Sequence, residues 1–131
     1  MNKPLFNEET TAIFNNVNIN NIRTNSNPVF NVQLNDLILN NVNIQDIYCL
    51  GSGSDSSLFV LDSGENDNKF SLKNINIKNC ISNSSFIKIK GEHNEVEIED
   101  TTIDNIVSYG TIIDNQSKHV CIIIITYHII L

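Results

Sequence analysis

The sequence predicts an all-β chain wound as a right-handed parallel β-helix (β-solenoid) of about four coils. Three observations carry that prediction. One seven-residue pattern recurs four times; the apolar alternation slips phase at the same two places in every copy; and 23 Asn and 22 Ile dominate the composition. Ile favours strands, whereas Asn is poor in helix interiors and strands and good at bends, so a regular mixture of the two describes short strands broken at corners. An AT-rich genome would also enrich both residues, but it would not space them.

The first two copies are Asn16-Val17-Asn18-Ile19-Asn20-Asn21-Ile22 and Asn41-Val42-Asn43-Ile44-Gln45-Asp46-Ile47. The later pair diverges to Asn74-Ile75-Asn76-Ile77-Lys78-Asn79-Cys80 and Asp100-Thr101-Thr102-Ile103-Asp104-Asn105-Ile106. Offsets of 25, 33 and 26 residues separate them. The long interval is explained by two insertions of turn composition in the second coil, around Gly51-Ser52-Gly53-Ser54-Asp55 and Ser63-Gly64-Glu65-Asn66-Asp67.

Ahead of each copy runs a short segment, Ala12-Ile13-Phe14, Leu37-Ile38-Leu39, Phe70-Ser71-Leu72 or Val96-Glu97-Ile98, whose first and third residues are expected to face the core. Alternation breaks at the column Asn16, Asn41, Asn74, Asp100 and again at Asn21, Asp46, Asn79, Asn105, which places a corner at each. Asn and Asp tolerate the left-handed backbone region and bond locally, so the chain can bend there without Gly. With coils about 4.8 Å apart, equivalent Asn side chains are also spaced to bond up the stack as a ladder. Apolar returns at Val29-Phe30-Asn31-Val32, Leu58-Phe59-Val60-Leu61, Phe86-Ile87-Lys88-Ile89 and Thr111-Ile112-Ile113-Asp114 close the coils. A single coil cannot bury its apolar side, but a stack can. A flat antiparallel sandwich is the alternative; it would not place Asn in register with a fixed motif.

Over residues 11–118 the pattern Asn-Val-Asn-Ile-x-Asn-Ile resembles the right-handed parallel β-helix superfamily, also called pectin-lyase-like, whose coils carry Asn at a corner between two short sheets. The resemblance implies the architecture and no particular activity, since that superfamily spans lyases, hydrolases, adhesins and structural repeats. Its polygalacturonases carry Asn-Thr-Asp, Asp-Asp, Gly-His-Gly and Arg-Ile-Lys, none of which occurs here. Its pectate lyases use an Arg base with Asp-bound calcium, and the sole Arg, Arg23, has no acidic cluster at repeat register.

Three segments are expected: residues 1–10 as an N-terminal segment with Leu5 and Phe6 as a partial cap, the repeats over 11–118, and an apolar tail over 119–131. The first ten residues hold no apolar run that would serve as a signal peptide, and we expect the natural start upstream, with this chain a piece of a larger secreted or cell-surface protein. The tail, with Val120-Cys121-Ile122-Ile123-Ile124-Ile125 and Ile129-Ile130-Leu131, reads as a fifth-coil strand buried as a cap, as an artefactual gene-model end, or as the start of a membrane anchor. Only the last of these would make a membrane a partner.

A net charge of −7 sets the chain against nucleic acid. Cys49, Cys80 and Cys121 lack metal spacing, as do His93, His119 and His128, so no metal or cofactor is expected. Cys49 and Cys80 read as buried core residues, with a disulfide between them the less favoured reading. Asp46, Asp104, Glu95, Glu97 and Glu99 read as corner or solvated residues, and no catalytic residue is assigned. The outward column Asn18, Asn43, Asn76 and Thr102, with Tyr48 as a candidate exposed ring, forms a polar stripe that could face carbohydrate. Two glycosylation sequons, Asn83-Ser84-Ser85 and Asn115-Gln116-Ser117, fit a secreted chain. The expected function is a non-catalytic structural or adhesive module whose partners are polysaccharide or neighbouring coils of a longer chain. The rival is a fragment of a polysaccharide lyase or glycoside hydrolase with its catalytic coils elsewhere; a mis-predicted gene is the third reading.

Overall fold

The computed structural model describes residues 11–33, 35–124 and 127–130; the proposed partial cap at Leu5 and Phe6, and Ile125 and Leu131 of the tail, lie outside them. The chain is a parallel β-solenoid. Its first coil comprises β1 (Thr11–Asn25) and β2 (Phe30–Gln33), its second β3 (Asp36–Leu50) and β4 (Phe59–Asp62), and its third β5 (Asp67–Ser82) and β6 (Ile87–Lys90). The fourth has β7 (His93–Glu99), β8 (Thr101–Ser108) and β9 (Ile113–Asn115). The long strands stack as β1-β3-β5-β7-β10, with β8 pairing β5, and the short ones stack as β2-β4-β6-β9, parallel throughout.

The strand β1 pairs with β3 over Thr11 to Asn25 with the 25-residue offset of the motif, and β3 pairs with β5 at the 33-residue offset. The ladder skips the corner positions. All eight corner residues, Asn16, Asn21, Asn41, Asp46, Asn74, Asn79, Asp100 and Asn105, have φ between 48° and 56°. A residue in the left-handed region turns the strand and reverses which side faces inward, and this is the physical source of the phase slip in the sequence. Each long strand is thereby folded into three faces, the first before the Asn16 column, the second between the two columns, and the third beyond Asn21 and its equivalents.

Inward residues of the middle coils are buried on every face: Leu37, Leu39, Val42, Ile44, Ile47 and Cys49 in the second coil, and Phe70, Leu72, Ile75, Ile77, Cys80 and Ser82 in the third. Val17, Ile19 and Ile22 of the first coil are only partly buried, because they have a neighbouring coil on one described side. On the short sheet Phe30 stacks on Phe59 with centroids 4.8 Å apart, and Phe14 meets Phe30 edge-on at 6.2 Å. In the fourth coil Thr101 takes an inward place and satisfies its hydroxyl on the Glu99 carbonyl at 3.2 Å.

The Asn ladder has a polarity. Asn41 Nδ2 donates to Asn16 Oδ1 at 2.6 Å and Asn74 Nδ2 to Asn41 Oδ1 at 3.2 Å, each bond pointing back one coil. In the second column Asn79 donates to Asp46 at 3.4 Å and Asn105 to Asn79 at 2.7 Å. An Asp accepts such a bond and cannot make one, so the steps from Asp46 to Asn21 and from Asp100 to Asn74 are missing. Each ladder bond is worth about 1 kcal/mol against about 1.5–3 kcal/mol for each large apolar side chain buried, so the core supplies the stability and the ladder sharpens the register.

The two insertions of the second coil do different work. The loop before β4 folds across the outside of the short sheet, where Lys88 points outward yet is 3% exposed. The Lys88 ammonium bonds to the Ser54 carbonyl and lies 3.6 Å from Asp55 Oδ1, which also meets Lys90 Nζ at 3.5 Å. Gly51 and Gly91, with φ of +104° and +105°, pass so close to Ser26 and Ser63 that a side chain would collide. The second insertion lengthens β5 at its start, where Asp36 Oδ1 accepts from Lys69 N at 2.7 Å and Asn68 Nδ2 at 3.2 Å.

In the tail, β10 (His119–Ile124) lies in register on β7 and β11 (Tyr127–Ile130) on β8. This described backbone therefore pairs as strands on the fourth coil, and Cys121 and Ile122 are exposed on it. The expected left-handed geometry and ladder bond at Asn41 make a clean test: Asn41→Ala should cost about 2–3 kcal/mol in chemical denaturation, and Asn41→Gly should recover the backbone share of that loss. Conversely Asp100→Asn, which completes the missing step to Asn74, should raise stability by about 0.5–1 kcal/mol, read as a higher denaturation midpoint at unchanged slope.

Candidate functional site

Backbone register brings Asn18, Asn43, Asn76 and Thr102 into one outward column on the second face. Two residues along each strand, Asn20, Gln45, Lys78 and Asp104 form a parallel column. The inward Ile19, Ile44 and Ile77 between them tie this face to the core, so the two columns stand as walls over a floor of sheet backbone. Across the first three coils the walls enclose a shallow groove of about 350 Å³. Asn43 Nδ2 donates to Asn18 Oδ1 at 2.8 Å, and Gln45 Nε2 to Asp46 Oδ2 at 3.1 Å, which orients both amides. Each amide retains a donor or an acceptor, the pairing that hydroxyl groups need.

The structure places Tyr48 elsewhere. It lies past the Asp46 corner, on the third face, in a column with Arg23, Ile81 and Val107. The Arg23 guanidinium sits 5.0 Å from its ring centroid. The stripe is therefore an amide surface, and the aromatic ring belongs to a separate ridge continued by the exposed Val107 and Tyr109.

A larger groove of about 490 Å³ lies at the start of the first face, beside Asp36, Asp67, Lys69, His93, Glu95 and His119. His93 and His119 stack at 4.7 Å and 19°, and His93 Nδ1 lies 3.2 Å from Asp67 Oδ1. Read separately, as a turn residue and a tail residue, the two His show no relation. Their separation, and that of Asp67 from His93, equals the 26-residue offset between the last two motif copies, and the register pairs Asp67 with His93 and His93 with His119. That spacing was the available signal. Among the described residues no group of three or more His, Cys, Asp or Glu is placed to hold a metal ion.

The outward glutamates of the first face are ion-paired: Glu97 with Lys69 at 3.5 Å, Glu99 with Lys73 at 3.6 Å, and Glu95 with Lys69 at 4.0 Å. Exposed pairs of this kind contribute little to stability. Asp46 is engaged in the corner ladder. Lys78, on the groove wall, forms no ion pair among the described residues.

Comparison of the chain with protein-family models, with curated proteins and with solved structures finds no match in any of the three.

Cys49 and Cys80 are free thiols in the core, two register positions apart, and Cys121 is an exposed free thiol. Burial pushes both core thiols up, Cys80 to about 11, against weaker lowering by hydrogen bonds at Thr24 and Val29 for Cys49 and at the Ile47 backbone for Cys80. Because the folded state holds these protons more tightly, the contribution of Cys80 to stability is complete below pH 9 and is lost between about 9 and 11, and that of Cys49 is lost in the same direction. At pH 8 a thiol-reactive dye should therefore label one cysteine, Cys121, in the native protein and all three only after denaturation; rapid native labelling of Cys80 would contradict the core placement.

Proposed function

We propose that the chain is a non-catalytic structural or adhesive module of a larger secreted or cell-surface protein, with its amide stripe turned toward polysaccharide. The observation that supports this most is the groove on the second face, where polar side chains from three successive coils line up along the stacking direction. An extended polymer can meet the same amide chemistry at each coil, and weak contacts repeated along one chain add to useful avidity. The carboxylates on the adjoining face are drawn to Lys69 and Lys73, which suits solubility better than acid–base chemistry. Within this reading the chain belongs with the pectin-lyase-like β-helices as one of their structural repeats, on the strength of its Asn-cornered motif.

That same resemblance supports the alternative, a segment of a β-helical polysaccharide lyase or glycoside hydrolase whose catalytic coils lie outside these 131 residues. One experiment separates them. The chain should co-sediment with at least one member of a panel of insoluble plant, fungal and bacterial polysaccharides without releasing reducing ends or unsaturated products. Asn43→Asp, which puts a charge in the groove and removes the donor to Asn18, should weaken retention by roughly fivefold, the worth of one hydrogen bond. Product release would overturn the non-catalytic assignment, and absence of retention on every polymer would remove polysaccharide as a partner.

A further inference from the structure

Two imidazoles from successive coils meet on the first face. His93 opens β7 and His119 opens β10, and the parallel register pairs them directly. Their rings stack with centroids 4.7 Å apart and planes 19° from parallel, and both residues are exposed. On the other side of His93, in register on β5, Asp67 Oδ1 lies 3.2 Å from its Nδ1. A carboxylate at that nitrogen holds the ring proton on Nδ1, so the lone pair falls on Nε2. This is how a carboxylate orients a histidine that ligates a metal. The groove beside the two rings, about 490 Å³, is lined by the carboxylates of Asp36, Asp67 and Glu95 against the ammonium of Lys69, and that surplus of negative charge favours a cation.

We infer that His93 and His119 form a two-ligand site for a borderline transition-metal ion of the zinc, copper and nickel class, with water in the remaining positions. Imidazole nitrogen suits these ions, whereas the hard cations calcium and magnesium take oxygen. A pair of protein ligands leaves the site open and its ion exchangeable, unlike the closed four-ligand sites that hold structural zinc. Two zinc–nitrogen bonds of about 2.0–2.1 Å set the nitrogens about 3.4 Å apart at a tetrahedral angle. That is closer than the 4.7 Å ring spacing, so binding tilts the two rings toward each other and breaks the parallel stack. Open groove beside both exposed rings leaves room for that movement. The bound ion ties a side chain of β10 to one of β7 and so clamps the tail strand onto the fourth coil.

This site stands apart from the polysaccharide reading, and either can fail without the other. The full chain is titrated with zinc chloride by calorimetry at neutral pH, and the histidine ring nitrogens are followed by NMR. One ion per chain is expected, with the ring resonances of His93 and His119 shifting together. His93→Gln and His119→Gln each remove a ligand and should weaken binding by at least about tenfold, the loss that even an outer-shell partner of a metal site produces. Asp67→Asn should weaken it by less, since that carboxylate is largely exposed. Cys121→Ser should leave affinity unchanged, because the thiol stands in the neighbouring outward column with Glu95. His93, His119 and Cys121 are all exposed, so these variants keep the fold. Absence of zinc binding by the unaltered chain, binding that survives His93→Gln or His119→Gln, or binding lost with Cys121→Ser overturns the inference.

Discussion

Equivalent residues of successive coils can stack only if every coil bends at the same points, and here that requirement falls on two backbone positions per coil. The left-handed conformation at the Asn16 and Asn21 columns bends each long strand without ending its hydrogen bonding. It also exchanges inward and outward sides, so that Leu37, Leu39, Val42, Ile44, Ile47 and Cys49 all reach the interior from one strand. A β-branched residue at such a corner would carry the steric penalty of the left-handed region; Asn and Asp carry least of it among residues with a side chain. Core, faces and outward columns all follow from that choice.

The energetic weights are uneven. Apolar burial in the second and third coils far exceeds what the amide ladder can contribute, and the end coils, with a described neighbour on one side, bury less of each residue. The ladder's value lies in direction: each bond runs from a later coil to the preceding one, so a shift in register would forfeit both it and the side-chain pattern of the core. The second and fourth coils weaken this arrangement by placing Asp46 and Asp100 where an amide would bond.

The regularity that builds the fold also shapes its surface. A column such as Asn18, Asn43 and Asn76 arises because one outward position is repeated at every coil, and so does the stack of His93 on His119. Departures from regularity mark the surface differently. The inserted loop before β4 buries Lys88, whose outward strand position alone would leave it in solvent, and ties it to Ser54 and Asp55. Such a surface offers repeated amides along one direction, and the proposed contact with polysaccharide rests on that repetition.

Much of the architecture was legible in the sequence because it rests on local causes. The corner positions, the inward pairs such as Val17 and Ile19, the two insertions and the 25-residue spacing all follow from backbone sterics and side-chain alternation within a few residues. The polar stripe followed from the same alternation, but Tyr48 did not stay with it, because a further corner at Asp46 turns it onto another face. The meeting of Asp67, His93 and His119 and the cover over Lys88 depend on which coil lies beside which and on how each loop folds over its neighbour. The sequence by itself determined where the chain bends and what faces inward; only the tertiary structure decided which distant side chains share a surface, because those contacts form between coils.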